Sequence, residues 1–250
     1  MRIYSNARQL MSEMARDLWE MGTEVKPKTY QNKDISGNDD FVTKEEFCKQ
    51  YCLTSLNDPE FLFIHTNSHK WADAEFKERI SGETINPGNA WKLRPEVWEE
   101  FLVSDSRGNL FFDYTYAQRM NSPIMYKGHK ETPLDAIVDL LKNDPDTRKA
   151  ILTIFDSRDE YHYSGDMRIP CSMYYGFFIR NGQLNMTYHQ RSSDFITHFG
   201  NDVYLAWSLK NYIADQVNVK PGHLIHTIDS LHCYKKDWSK LKNSVDDYII

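Results

Sequence analysis

A cysteine directly behind a proline, Cys171 after Pro170, and the run Gln190-Arg191-Ser192-Ser193-Asp194 twenty residues later are the residue types in this chain best suited to covalent chemistry. A thiol attacks only as its thiolate, and a nearby guanidinium favours that form. The sequence between them indicates how they could meet. Met173 to Arg180 is aromatic and β-favouring, Asn181-Gly182 is a strong hairpin signal, and Gln183 to His189 reads as the returning strand. With a two-residue loop, Arg180 faces Gln183, and counting back along both strands sets Cys171 opposite Ser192 and beside Arg191. A bulge would shift that register.

Other reactive residues have plainer readings. Cys48, Cys52 and Cys233 have no comparable cation nearby and are expected to be structural. His65 and His69 have a spacing that binds metal on a helix, but "HTNSH" forms helix poorly, so a solvated loop is expected. A papain-like Cys/His pairing is a weak rival, since nine histidines offer partners and the sequence selects none. Arg148 and Lys149 follow the turn "DPDT" and read equally as a solvated pair or as a phosphate clamp.

The elements that must position these residues are partly legible. "ARQLMSEMARDLWEM" has helical apolar spacing, and its charges exclude a signal peptide or a membrane span. "VKPKTYQNKDISGNDDF" is a turn-rich loop, and Thr43 to Glu46 resembles a capping box opening a helix through Cys52. Residues 71–81 read as helix and "PEVWEEF" as a short helix, while "DSRGNL" is a turn. Thr132 and Pro133 start a helix to about Asn143, and "KAILTIF" follows as a strand. "VYLAWSLKNYIADQV" is a helix with Asn201 or Asp202 at its start, and "HLIHTIDSLHCY" is a late buried strand.

With 250 residues, 40% hydrophobic composition, 13 Phe, 15 Tyr and 6 Trp, the chain can bury a substantial core, which excludes disorder and fibrous classes. No stretch resembles a linker, so residues 1–250 are taken as one domain. A formal net charge of −6 with scattered basic residues argues against bulk attraction to nucleic acid, so an anionic ligand must be met by local arginines. Four irregularly spaced cysteines imply free thiols and a cytoplasmic protein.

Taken in order, "PCS", "QRSSD", "ND" and "LHCY", with "DPDTRK" upstream, resemble the thymidylate synthases and their nucleotide-hydroxymethylase relatives over roughly residues 70 to 240. Cys171, Arg191, Asp194, Asp202, His232 and Tyr234 match that family's intervals. The resemblance implies an α+β, three-layer α/β fold with a large mixed sheet and surrounding helices. Glu75 becomes the counterpart of the family's catalytic glutamate, with Glu78 in reserve, and Trp98 and Tyr116 the counterparts of its active-site tryptophan and tyrosine. The phosphate-binding arginine near the family's N-terminus has no clear match; Lys28 and Lys33 are the candidates.

The reaction implied is one-carbon transfer from 5,10-methylenetetrahydrofolate to C5 of a pyrimidine nucleoside monophosphate. Cys171 would add to C6 and Glu75 would run proton transfers, while Arg191 and Ser192 bind the nucleotide phosphate. Asp194 and Trp98 would hold the folate, and His232 and Tyr234 the 3′-hydroxyl. Arg148 and Lys149 would reach the phosphate of a neighbouring subunit in a homodimer, although lysine replaces the usual second arginine. Asp202 stands where thymidylate synthases usually have asparagine and the cytidylate enzymes aspartate, which points to cytosine. Ser172 replaces a usual histidine and, with "DSLHCY", points to hydroxymethylation. The expected enzyme is a cytidylate 5-hydroxymethyltransferase acting on dCMP, with CMP as alternative. Its rivals are a methylase on the same scaffold, acting on dCMP or dUMP, and a nucleotide-binding relative without turnover.

Overall fold

In the computed structural model, which describes residues 1–162 and 167–247, a seven-stranded mixed sheet organises the chain. Its strands are β1 (Arg2–Asn6), β2 (Thr23–Val25), β3 (Thr43–Asn57), β4 (Ile151–Thr153), β5 (Ser172–Arg180), β6 (Gln183–Asp194) and β7 (Lys220–Tyr234). Around it lie α1 (Ala7–Met21), α2 (His69–Arg79), α3 (Pro95–Trp98), α4 (Tyr116–Asn121), α5 (Pro133–Asn143), α6 (Gly200–Gln216) and α7 (Trp238–Asp247). The strand order is β1-β3-β7-β6-β5-β4, with β2 also paired to β3. The pairs β1–β3 and β6–β7 are parallel and the others antiparallel. None of the described helices is long and apolar enough to cross a membrane.

Side chains alternate along β6, so Leu184, Met186, Tyr188 and Gln190 are buried on one face while Asn185, Thr187 and His189 are half-buried on the other. The buried face meets Leu10, Met14 and Leu18 of α1 and Val203, Leu209 and Ile213 of α6 in one core. Fully burying a side chain of this kind contributes roughly 1.5–3 kcal/mol. Packing of α2 against α6 adds a further layer. The parallel β6–β7 register pairs Ser192 with Ser230 and Asp194 with His232, gathering polar side chains at the strand ends.

The hairpin follows its expected register from Arg180–Gln183 to Tyr174–His189 and then shifts between Tyr174 and Ser172. Ser172 pairs with Gln190, and Arg191 N donates to Cys171 O at 2.8 Å, so Cys171 lies opposite Arg191 and not Ser192. The extra residue is Met173, whose carbonyl turns to accept from Ile154 N at 2.9 Å and Phe155 N at 3.1 Å beyond the end of β4.

Two element expectations are corrected. Residues 43–52 form no helix; they belong to β3, which pairs with β7 from Thr43–Tyr234 to Leu53–Leu224, and that long-range ladder overrides a local capping pattern. The start of α6 is not set by Asn201 or Asp202. A π-helical turn, Phe195–Phe199, leads directly into it, and the Asp194 carboxylate caps that turn by accepting from Ile196 N at 3.0 Å and Thr197 N at 3.4 Å. Gly200 is needed where the two meet, because a Cβ there would stand 1.8 Å from the Leu62 carbonyl oxygen. The helix at 71–81 is α2, capped by Ser68, and Thr132 caps α5 as expected.

Candidate active site

A cavity of about 290 Å³ opens at the ends of β6 and β7. Cys171, Arg191, Ser192, Asp194, Asp202, His232, Tyr234, Trp98 and Tyr116 all line it. Glu75 lines a smaller adjoining cavity, whose wall shares Trp98, Tyr116 and Arg79 with the first. Arg148 and Lys149 line neither. They stand exposed before β4, and among the described residues their side chains have no hydrogen bond or ion pair.

At the Cys171 end, Arg191 is anchored by the chain that carries the thiol. Its Nε donates to Pro170 O at 2.8 Å and its Nη2 to Ile169 O at 3.2 Å, which leaves Nη2 3.8 Å from Cys171 Sγ. Behind the thiol, Ser172 Oγ donates to Tyr116 OH at 3.2 Å and lies 2.6 Å from Tyr188 OH. Burial pushes the Tyr116 phenol well above its ordinary range, so it serves as a neutral hydrogen-bonding group. The Arg79 guanidinium lies 3.9 Å from the centre of the Tyr116 ring and donates through Nε to Glu75 Oε1 at 2.8 Å. Glu78 is occupied elsewhere, since its Oε1 accepts from Asn89 N at 2.7 Å and Ala90 N at 2.9 Å.

At the opposite end, Asp202 is held by a buried relay. Gln190 Nε2 donates to Asp202 Oδ2 at 2.7 Å, and Ser193 Oγ donates to the same oxygen at 2.9 Å. Gln190 Oε1 lies 3.1 Å from His226 Nε2, and His226 Nδ1 lies 2.8 Å from Tyr51 OH. Burial lowers His226 to about 3, so the ring is neutral. With the Gln190 amide nitrogen turned to the carboxylate, His226 carries its proton on Nε2 and Tyr51 donates to Nδ1. The polarity therefore runs from Tyr51 to Asp202. Both donors fall on Oδ2, and Oδ1 has no partner among the described residues. Burial raises the Asp202 carboxyl to about 6, against the lowering effect of these hydrogen bonds.

Several cavity groups escaped the sequence reading. Arg79 and Arg168 are buried, and both line the cavity and its neighbour. Arg168 lies over Phe101 at 4.3 Å and Trp98 at 5.4 Å. Only the four-residue spacing of Glu75 and Arg79 was a visible signal. His198 faces the cavity from the π turn, and Gln190 was read only as part of a motif. Neither Lys28 nor Lys33 lines the cavity. Lys33 pairs with Glu100, while the neighbouring Thr29, Tyr30 and Gln31 form the wall. His69 stacks on Phe63 and contacts Tyr204 OH at 3.2 Å, and no metal-binding group of three acidic, Cys or His side chains exists among the described residues.

Residues 69–247 match the sequence profile described as "Thymidylate synthase". A protein of Methanocaldococcus jannaschii named "Putative thymidylate synthase" is 31% identical over 187 residues, covering 68% of this chain and 83% of its own. One of the same name from Methanosarcina barkeri is 30% identical over 171 residues, covering 68% of this chain and 73% of its own. Among solved structures, thermostable thymidylate synthase A from Bacillus subtilis superposes with a TM-score of 0.75 at 17% identity, covering 97% of this chain and 84% of that one. The last likeness establishes the fold.

Proposed function

The chain belongs to the thymidylate synthase family, and from that premise we propose that it transfers a one-carbon unit from 5,10-methylenetetrahydrofolate to C5 of dCMP and releases the 5-hydroxymethyl nucleotide. C5 of a pyrimidine is a weak nucleophile. Addition of the Cys171 thiolate to C6 makes C5 enamine-like, and the guanidinium of Arg191 at 3.8 Å stabilises the thiolate. Arg191 and Ser192 receive the phosphate, and His232 and Tyr234 the 3′-hydroxyl. Glu75, oriented by Arg79, relays protons through water to the reacting base. Tyr116 keeps the floor behind the thiol neutral and hydrogen-bonded.

The residues present suit a folate. Trp98 stacks with Trp71 at 5.5 Å, offering an aromatic wall with its Nε1 buried and unpartnered, and Asp194 keeps Oδ2 uncommitted for a donor edge. When bound, the folate supplies an electrophilic methylene carbon.

Asp202 carries the cytosine reading. Cytosine presents an amino donor at N4 and an acceptor at N3, so it needs a carboxyl that both accepts and donates. A carboxyl raised to about 6, whose free Oδ1 can hold the proton, meets that need. A helix start favours the ionised form, and burial offsets that preference. Uracil would bring its O4 against the carboxylate. Hydride transfer in place of water capture is the rival reading, and the names of the archaeal relatives favour it.

Homodimerisation fits the sheet face opposite the core, which exposes Ile3, Ile151 and Tyr174, and it gives the unpaired Arg148 and Lys149 a phosphate to reach. The free thiols suit a reducing cytoplasm.

Incubation with dCMP and methylenetetrahydrofolate, followed by mass analysis of the nucleotide and absorbance of the folate, tests the proposal. Hydroxymethyl-dCMP with tetrahydrofolate is expected. A methyl product with stoichiometric dihydrofolate overturns the hydroxymethyl reading, and turnover of dUMP alone overturns the cytosine reading.

A further inference from the structure

His198 is the one cavity-lining histidine whose surroundings the steps above leave unused. It sits on the π turn four residues before Asp202, its ring 5.5 Å from Trp98. Among the described residues, neither ring nitrogen has a hydrogen-bond partner. Three side chains around it carry unsatisfied donors: Arg94 Nε and Nη1, Trp98 Nε1 and Arg168 Nε are all buried without an acceptor among the described residues. Arg94 is tied to the same turn, because its Nη2 donates to Thr197 O at 2.9 Å. Burial and the cations of Arg94 and Arg168 lower His198 to about 3, so its ring is neutral and keeps one nitrogen free to accept. That acceptor faces the cavity, where it can take a hydrogen bond from a water.

We propose that His198 holds and orients the water that captures the one-carbon unit on the nucleotide. This inference rests on the hydroxymethyl reading above. Once tetrahydrofolate has left and the C5 proton has been lost, C5 bears an exocyclic methylene and C6 remains bonded to Cys171. The water oxygen bonds to the methylene carbon while the neutral His198 ring accepts a hydrogen bond from that water, and the proton released passes to bulk solvent. The electron pair of the exocyclic double bond re-forms C5=C6, and the C6–S bond breaks to release the Cys171 thiolate. No oxidant or reductant is consumed, and His198 stays neutral throughout.

The test compares wild type with His198→Phe and His198→Gly. Exchange of the C5 proton of dCMP with solvent, which requires thiolate addition and not water capture, reports whether each variant is folded and competent upstream. Hydroxymethyl-dCMP formation is expected to fall about tenfold in both variants, with C5 exchange kept within severalfold of wild type and added imidazole restoring product formation in His198→Gly. Unchanged product formation in both variants overturns the proposal and leaves the hydroxymethyl reading standing. Parallel loss of C5 exchange and product, without imidazole rescue, overturns it in favour of a structural role. A methyl product with dihydrofolate from wild type overturns the parent reading and this proposal with it.

Discussion

Cys171 and Arg191 meet because one two-residue turn pairs their strands, whereas Asp202 is held through Tyr51, His226 and Gln190, which come from β3, β7 and β6. The Cys171 end is local, and its cation is tethered by carbonyls of the chain that carries the thiol. The Asp202 end is distributed and buried, and each relay member satisfies the next. Removing one leaves a buried polar group unpaired, at a cost of about 1–3 kcal/mol. Substitutions at the first end are therefore expected to change chemistry and spare the structure, while those at the second change selectivity and stability together.

The largest effect belongs to the local end. Cys171→Ser should lower kcat by about 10⁴-fold or more, since a serine hydroxyl is a far weaker nucleophile at neutral pH, with the Kd for dCMP changed only severalfold. Steady-state kinetics beside equilibrium binding checks this, and retained turnover would remove the covalent step. In the homodimer proposed above, a second chain completes the local end. Mixing Cys171→Ser with Arg148→Glu, each inactive alone, should recover up to about a quarter of wild-type activity through hybrid dimers. A fully active monomer in sedimentation would contradict the shared site.

At the distributed end, Asp202→Asn should shift the ratio of kcat/KM values for dCMP and dUMP toward uracil by about 10²-fold or more. An unchanged ratio would place base reading elsewhere. Gln190→Leu cuts the relay without touching the carboxyl. It should lower kcat/KM for dCMP about tenfold and cost about 2 kcal/mol in denaturant unfolding, because the His226 Nε2 proton and Asp202 Oδ2 each lose a partner. If activity falls with no loss of stability, the relay is not the support described here.

The smallest effect is a pH dependence. The folded-state carboxyl of Asp202 is raised from 3.8 to about 6, so between those values the native state binds more protons than the unfolded chain. Stability from this group is greatest below the unfolded pKa and is lost as pH rises through about 6. Wild type should therefore lose up to about 2 kcal/mol relative to Asp202→Asn between pH 4 and pH 8, read as the difference in their unfolding free energies. A constant difference would mean that Asp202 is not strained by its burial.

The same contrast decides what was legible beforehand. Period-two alternation and Asn181-Gly182 fix the β5–β6 hairpin, and the motif intervals bring Cys171, Arg191, Asp194, Asp202 and His232 to one cavity, as found. The one-residue slip at Met173 was invisible, because it depends on where Ile154 and Phe155 present their N–H groups. Residues 43–52 misread for a related reason: their local pattern favours a helix, and only β7, far along the chain, makes them a strand.

Arg168 and His198 carry no sequence pattern that marks them as cavity groups, and Arg79 only its four-residue spacing from Glu75; α2, the segment before Cys171 and the π turn converge only in three dimensions. By itself the sequence determined that Cys171, Arg191 and Asp202 share one cavity and that β5 and β6 pair as a hairpin, because these rest on turn chemistry and on fixed spacing along extended chains. The tertiary structure alone decided which oxygen of Asp202 stays free, how far burial raises its pKa, and which donors crowd His198. Hydrogen-bond polarity and desolvation are set by neighbours distant in sequence, and no local pattern encodes them.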